Sequence, residues 1–136
     1  MEERDFIKRQ ISLIAKVLSE LFAKLSSEEP KSNNLELTIQ TLDEELNLNF
    51  HELLELSEEE TIKFLKTKKK FENEDFLHLS NIFELIANEP SENISLKLRI
   101  SEKTLIFLEY LQNNDDIFCI ERNQKISNIK AFIKNQ

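Results

Sequence analysis

The sequence predicts an all-α protein of six or seven helices, and three observations point to this fold class. Apolar residues recur at spacings of three and four over most of the 136 residues. Asparagine and serine, which favour helix N-caps, stand where several of these stripes begin. Only ISLKLRI, residues 94–100, alternates apolar and polar residues as a strand does. Because an isolated strand cannot satisfy its backbone hydrogen bonds, we interpret this stretch as the start of a helix, with an extended segment as the alternative.

The length and the composition fit one domain. A chain of 136 residues can bury roughly 68% of the surface that its unfolded form exposes, and it is too short for two ordinary domains. Hydrophobic residues make up 40% of the chain and charged residues 32%, which is typical of globular proteins. We therefore expect residues 1–136 to form a single helical domain.

Each predicted helix follows an amphipathic stripe of apolar residues. The longest stripe keeps alternating spacings of four and three from Ile7 to Leu25. Helices are predicted over 3–26, about 34–47, 49–56, 58 into the following lysine run, 73–88, 95–112, and from Asp115 or Asp116 to about 134.

Caps define several of the boundaries. Ser57 and Glu60 fit the S-x-x-E capping box, and Asn49 and Asn73 are expected to cap the helices that follow them. The chain contains no glycine, the residue that most often ends a helix in the left-handed conformation. Asparagine is the next-best residue for that conformation, and the asparagines at breaks in the apolar pattern are Asn33, Asn34, Asn47, Asn88, Asn113 and Asn114. The lack of glycine also argues against phosphate-binding loops and dinucleotide-binding folds.

The apolar stripes also predict which side chains are buried. In the helix over 95–112 we expect four leucines to face inward: Leu98, Leu105, Leu108 and Leu111. For the whole chain the predicted core consists of Ile14, Leu18, Leu21, Leu42, Phe64, Leu65, Phe76, Leu79, Phe83, Leu105, Leu108 and Ile129.

The net charge of the chain limits the classes of partner that it is expected to bind. A formal net charge of -8 argues against nucleic acid, because binding to phosphate backbones depends on Lys and Arg. The basic run Lys66, Lys68, Lys69 and Lys70 follows a helix that starts with three glutamates, an order that matches the helix dipole. We therefore interpret the run as a solvated helix end.

Neither a membrane span nor a secretory leader is indicated. No apolar run approaches the ~18 residues of a spanning helix, and the first residues, MEERDF, are acidic where a signal peptide is basic. We expect a cytoplasmic protein without membrane contact. The single cysteine, Cys119, fits a reducing compartment and rules out an internal disulfide.

HELLE, residues 51–55, differs by one letter from the H-E-x-x-H motif of zinc peptidases. The second histidine of that motif is replaced by Glu55, and the remaining histidine of the chain is His78. A ligand set of His51, Glu55, His78 and Asp75 can be assembled on paper, since Asp75 and His78 lie three apart on one helix face. We favour the alternative that the leucines dock a short helix while His51 faces water, and we predict no metal ligand.

Cys119 is the strongest candidate nucleophile by residue type. It stands between Phe118 and Ile120, without a histidine in the same segment to activate it. We therefore interpret Cys119 as a buried cysteine at a helix start, and we predict no catalytic or cofactor-binding residue.

Three stretches together resemble a family of short bacterial proteins of unassigned function whose helices stack in tetratricopeptide-like fashion. They are DFIKRQI, LDEELNLNFHELLELSEEETIKFL and FCIERNQKI. The resemblance implies antiparallel helical hairpins, in a tetratricopeptide-like or an irregular bundle arrangement. It implies no catalytic residues.

Three functions are consistent with these patterns. The first is a non-enzymatic helical scaffold that binds a protein or peptide in a groove between helices, with a basic partner favoured. The second is self-association through the helix at 3–26, which keeps heptad spacing; the protein is accordingly expected to be a monomer or a homodimer. The third is a small metal-dependent enzyme that uses His51 and His78.

Overall fold

The computed structural model describes residues 2–27, 33–114 and 119–136, and within these ranges it contains helices and no strand. The helices are α1 (Glu2–Ser26), α2 (Asn34–Leu46), α3 (Phe50–Glu55), α4 (Glu58–Lys63), a π-helical turn (Phe64–Lys68), α5 (Asn73–Ala87), α6 (Ile94–Asn114) and α7 (Ile120–Lys134). The all-α fold class is confirmed. Residues 94–100, for which an extended form was the alternative, belong to α6.

The helices pack as a bundle around α5. Its most extensive contacts are with α6 and then with α1, and α6 in turn packs against α7. Helices α5 and α6 are antiparallel neighbours, because Phe76 at the start of α5 lies 4.7 Å from the Tyr110 ring near the end of α6. Helices α6 and α7 are also antiparallel, since Gln112 late in α6 donates to Asn123 early in α7.

The contact between α1 and α5 skips three helices of the chain. Solenoid repeats contact only their sequence neighbours, so this long-range packing is typical of a bundle. The tetratricopeptide-like stacking stays a prediction that rests on the resemblance.

The centre of the bundle is an aromatic cluster. The side chains of Phe50, Phe76, Phe83 and Phe107 are almost completely buried, and the Phe83 ring lies 5.4 Å from the rings of both Phe50 and Phe107. Aromatic pairs at this distance add to the free energy gained from burial. Through these rings α3, α5 and α6 share one core.

Eight of the predicted core residues are buried: Leu18, Leu21, Leu42, Leu65, Phe76, Leu79, Phe83 and Leu108. The other four, Ile14, Phe64, Leu105 and Ile129, are only half-buried. In α6 the predicted inward face is correct for Leu108 and Leu111, whereas Leu98 and Leu105 are half-buried and Ile100 and Phe107 are buried instead. Helix α6 contacts α5 on one side and α7 on another, so its buried face is wider than a single stripe.

The predicted caps at Ser57 and Asn49 are confirmed. The Ser57 hydroxyl accepts from the backbone N–H of Glu60 at 3.2 Å, and the Glu60 carboxylate accepts from the backbone N–H of Ser57 at 3.1 Å. The Asn49 side chain accepts from the backbone N–H of Glu52 at 2.9 Å. These local hydrogen bonds hold the corner between the two short helices, α3 and α4.

The prediction that Asn73 caps α5 is wrong by one residue. The N-cap is Glu72, whose backbone N–H donates to the Asp75 carboxylate at 2.9 Å. Asp75 thus closes the start of α5 from inside the helix, and Asn73 is the first helical residue.

Left-handed backbone occurs at two described positions. Asn47 ends α2 with φ 50°, as the asparagine argument predicts, and Lys70 has φ 61°. Asn88 ends α5 with φ −83°, so the prediction does not hold there. Lys70 was not foreseen, because lysine has no special preference for this conformation.

The last helix begins later than predicted. Asp115 and Asp116 lie outside the described residues, and α7 begins at Ile120 with Cys119 as its N-cap. Among the helices that the structure describes, none combines the length and the hydropathy needed to cross a membrane.

Candidate functional site

The four candidate metal ligands are not brought together as one ligand set. His51 is exposed on α3 and contacts the Phe50 ring edge-on, and Glu55 pairs with Arg99 of α6 at 2.9 Å. His78 lies half-buried on α5, 3.6 Å from the Glu74 carboxylate. Over the described ranges no group of three or more His, Cys, Asp or Glu side chains is placed to hold a metal ion.

Asp75 is the candidate ligand with the most unusual environment. Its side chain is fully buried; one carboxylate oxygen accepts from Glu72, and the other has no hydrogen-bond partner. Burial raises the pKa of Asp75, the Glu72 N–H lowers it, and the nearby Glu74 charge raises it. Asp75 therefore acts as a helix cap whose charge is costly to bury.

Cys119 occupies the N-cap position of α7. Its Sγ accepts from the backbone N–H of Arg122 at 3.4 Å, and the residue is half-buried. The expectation of a cysteine at a helix start is correct, and the expectation of full burial is wrong.

Lysines of the run also contact other helices of the protein, which the interpretation as a solvated helix end does not include. Lys69 donates to the backbone carbonyls of Leu46 and Asn47 at the end of α2, and the Lys66 ammonium lies 5.5 Å from the centre of the Tyr110 ring. Two of the four lysines thus have partners within the chain. Lys69 neutralises orphan carbonyls at a helix C-terminus, where a cation is favoured.

A buried lysine was missed by the sequence arguments. Lys103 of α6 is only 4% exposed, and its ammonium donates to the Leu56 carbonyl and, at 3.0 Å, to the Thr61 hydroxyl. Burial lowers the pKa of Lys103, and the charges of Glu102, Glu60 and Glu58 act in the opposite direction. These hydrogen bonds attach the corner between α3 and α4 to α6. The apolar periodicity of the sequence does not predict them.

The acidic character of the protein is concentrated in the segment 33–62. It contains no Lys or Arg and nine carboxylates, so its formal charge is -9 and that of the remaining chain is +1. All nine are exposed: Glu36, Asp43, Glu44, Glu45, Glu52, Glu55, Glu58, Glu59 and Glu60. The helices from α2 to the start of α4 therefore carry only acidic charged side chains of their own.

A groove between α1 and α2 borders this acidic surface. Its volume is about 320 Å³, and Val17, Leu21 and Leu37 line its floor. Three glutamates and one lysine complete its walls, namely Glu20, Glu44, Glu45 and Lys24.

The apolar floor continues along α1 beyond the groove. Leu13 lies one helical turn before Val17 on the same face and is 61% exposed. An exposed leucine beside a half-buried valine extends the apolar strip past the glutamates. The groove thus combines three apolar side chains with polar and mainly acidic ones.

The comparisons with known proteins add no relative. No protein-family model, no curated protein and no solved structure gives a significant match to the chain.

Proposed function

We propose that the protein is a non-enzymatic helical scaffold that binds a basic, amphipathic peptide segment of a partner protein in the groove between α1 and α2. The observation that carries the proposal is that the apolar Val17 and Leu37 lie in one groove with three carboxylates, those of Glu20, Glu44 and Glu45, against a single basic residue, Lys24. An amphipathic helix places its apolar face into such a groove. Lysine and arginine on its flanks then meet the carboxylates of the rim.

Charge complementarity decides the kind of partner. Helix α2, which forms one wall of the groove, contributes Glu44 and Glu45 to its lining, and the rest of the segment 33–62 adds seven further exposed carboxylates and no basic side chain. A potential of one sign attracts an oppositely charged partner and repels a similar one, and the effect weakens as salt is added. A basic segment is therefore favoured over an acidic or a neutral one.

Self-association through α1 has less support. The stripe that would form a coiled-coil seam includes Leu18, Leu21 and Leu25, and these side chains are already buried in the bundle. A homodimer stays a prediction of the heptad spacing, and light scattering measures it directly. The metal-enzyme hypothesis has no ligand cluster among the described residues to recommend it.

The test uses a labelled probe peptide of about 15 residues with Leu and Lys at amphipathic helical spacing, titrated with the full chain and followed by fluorescence anisotropy. We expect saturable binding that weakens with salt, and no binding of a matched peptide with Glu in place of Lys. The double variant Glu44→Lys/Glu45→Lys is expected to weaken binding about tenfold or more.

The control is Glu92→Lys/Glu121→Lys, which changes the net charge equally at two exposed positions outside the groove. It is expected to bind the Lys peptide nearly as well as the original chain. Equal loss in the two double variants would show attraction to net charge alone and would overturn the proposal. Leu13→Ser/Val17→Ser tests the apolar floor, and unchanged affinity in that variant would also contradict it.

A further inference from the structure

A second concave site differs from the groove in its charge, because more basic than acidic side chains line it. The end of α5, the first turns of α6 and the middle of α7 enclose a half-open cleft of about 220 Å³. Lys97, Lys125, Glu84 and Ser101 are among the residues that line it. In a chain with a net charge of -8, this cleft has two cations to one anion.

The two lysines are held in different ways. Lys125 lies 3.7 Å from Glu84, an ion pair that leaves the Glu84 charge already compensated. The Lys97 ammonium lies 5.7 Å from the centre of the Phe132 ring, and no carboxylate of the described residues is within salt-bridge distance of it. An ammonium over an aromatic ring keeps its N–H donors available to a ligand anion.

The apolar part of the cleft lies beside these charges. Ile129 and Phe132 of α7, together with Ala87 of α5, line the same cleft. Ligand sites in helical bundles typically combine such an apolar lining with a few polar groups that orient the ligand. The arrangement fits a molecule with one anionic end and one hydrocarbon end.

The volume limits the size of that molecule. Sites for drug-sized ligands occupy roughly 300 to 1,000 Å³, and the cleft is smaller. At about 30 Å³ for each water molecule, it has room for roughly seven waters. A single ring or a short chain with one carboxylate fits this space.

We propose that this cleft binds a small amphipathic monocarboxylate, with its carboxylate between Lys97 and Lys125 and its hydrocarbon part against Ile129 and Phe132. The Ser101 hydroxyl, which belongs to a residue only 6% exposed, is a further donor on the wall of the cleft. Binding here joins α5, α6 and α7, so a bound ligand also stabilises the outermost helix of the bundle.

The experiment titrates the full chain with phenylacetate and follows backbone amide shifts by two-dimensional NMR. Benzyl alcohol, with the same ring and no charge, is the control ligand. We expect saturable shifts confined to amides near the cleft with phenylacetate, and weaker binding of the alcohol by about tenfold, the contribution of charge-assisted hydrogen bonds. Equal affinity for the two probes, or shifts spread over the whole chain, would sink the proposal.

Variants separate the cleft from general attraction to lysine. Lys97→Met removes the ammonium and keeps the aliphatic stem, and it is expected to weaken phenylacetate binding about tenfold. Lys16→Met makes the same change at an exposed position of α1 and is expected to leave the affinity unchanged. If Lys97→Met lowers folding as judged by circular dichroism, Lys125→Met provides the second test. Affinity that is the same in both cleft variants as in Lys16→Met contradicts the proposal.

This inference is independent of the peptide groove. The groove lies between α1 and α2, and none of its lining residues contributes to the cleft. Failure of the peptide probe therefore leaves the carboxylate experiment valid, and the reverse also holds.

Discussion

Helices α5 and α7 have the same length, 15 residues, and very different surroundings. Helix α5 lies between α1 and α6 and buries eight residues, whereas α7 packs mainly on α6, with an ion pair to α5, and buries only Ile126 among its described side chains. Burial of apolar area is the main source of folding free energy. Helix α5 therefore contributes far more buried area to the stability of the bundle than α7 does.

The largest expected effect is at the centre of α5. Phe83→Ala removes a fully buried ring that contacts Phe50 and Phe107, and we expect a loss of about 3 to 5 kcal/mol in the free energy of unfolding. Phe132→Ala makes the same change in α7, where the ring is half-buried, and less than half of that loss is expected. Urea denaturation measures both, and equal losses would show that the two helices do not differ as described.

A smaller effect is expected at the buried residue of α7. Ile126→Ala should cost about 2 kcal/mol, the low end for such truncations, because one face of α7 is open and the site can relax. The matched truncation Ile82→Ala in α5, where the side chain is completely buried, should cost more. A larger loss for Ile126→Ala than for Ile82→Ala in the same denaturation series would reverse the ranking.

Asp75 is the buried carboxylate of α5, and its effect on stability depends on pH. Burial raises the pKa of Asp75 above the usual 3.8, so just above that value the folded state keeps a proton that the unfolded state has lost. The free energy of unfolding therefore falls as the pH rises through this range.

Asp75→Asn removes the titration and keeps an oxygen to accept from Glu72. Relative to the original chain, we expect the variant to gain stability as the pH rises from below 3.8 to neutral, because only the original chain gives up a proton that its folded state holds more tightly. The measurement is urea denaturation of both proteins across that range. A difference that stays constant with pH would show that Asp75 has the same pKa folded and unfolded.

The smallest effect is expected where the two helices are joined by charge. Lys125 of α7 pairs with Glu84 of α5 at 3.7 Å, and both side chains are about one third exposed. Glu84→Gln should cost less than about 1 kcal/mol, because partly solvated ion pairs contribute little. A thermal melt with added salt provides the check: the difference from the original chain should shrink as salt screens the pair, and a loss of several kcal/mol would mean that charge holds α7 in place.

Local signals allowed much of the fold to be predicted. The capping box at Ser57 and the Asn49 cap depend on residues three positions apart, so the sequence alone predicts them. The apolar stripe of α5 also predicted that Phe76, Leu79 and Phe83 are buried. A helix with neighbours on two sides still buries its most apolar face, so the stripe identifies these residues correctly. Prediction failed for Leu98 and Leu105 of α6, whose burial depends on where α5 and α7 contact that helix.

The candidate sites were less accessible to prediction. Sequence patterns drew attention to His51, His78 and Cys119, which are the chemically distinctive residues, whereas the groove and the cleft are lined mainly by common ones. The groove joins residues of α1 to residues of α2, and the cleft joins Glu84, Lys97 and Lys125 across three helices. Because these residues come from separate helices, no spacing within one segment predicts that they lie together.

The sequence by itself determined the helical class, most helix boundaries, the corner at Ser57 and the acidic character, because these follow from interactions between residues a few positions apart and from composition. Only the tertiary structure decided that α5 is the central helix, that Lys103 is buried beneath the Leu56 carbonyl, and that two lysines face one cleft. The physical reason is that burial and electrostatic environment depend on neighbours distant in the chain. A periodic apolar stripe indicates that a helix has a buried face, whereas the packing of the other helices decides which residues that face contacts.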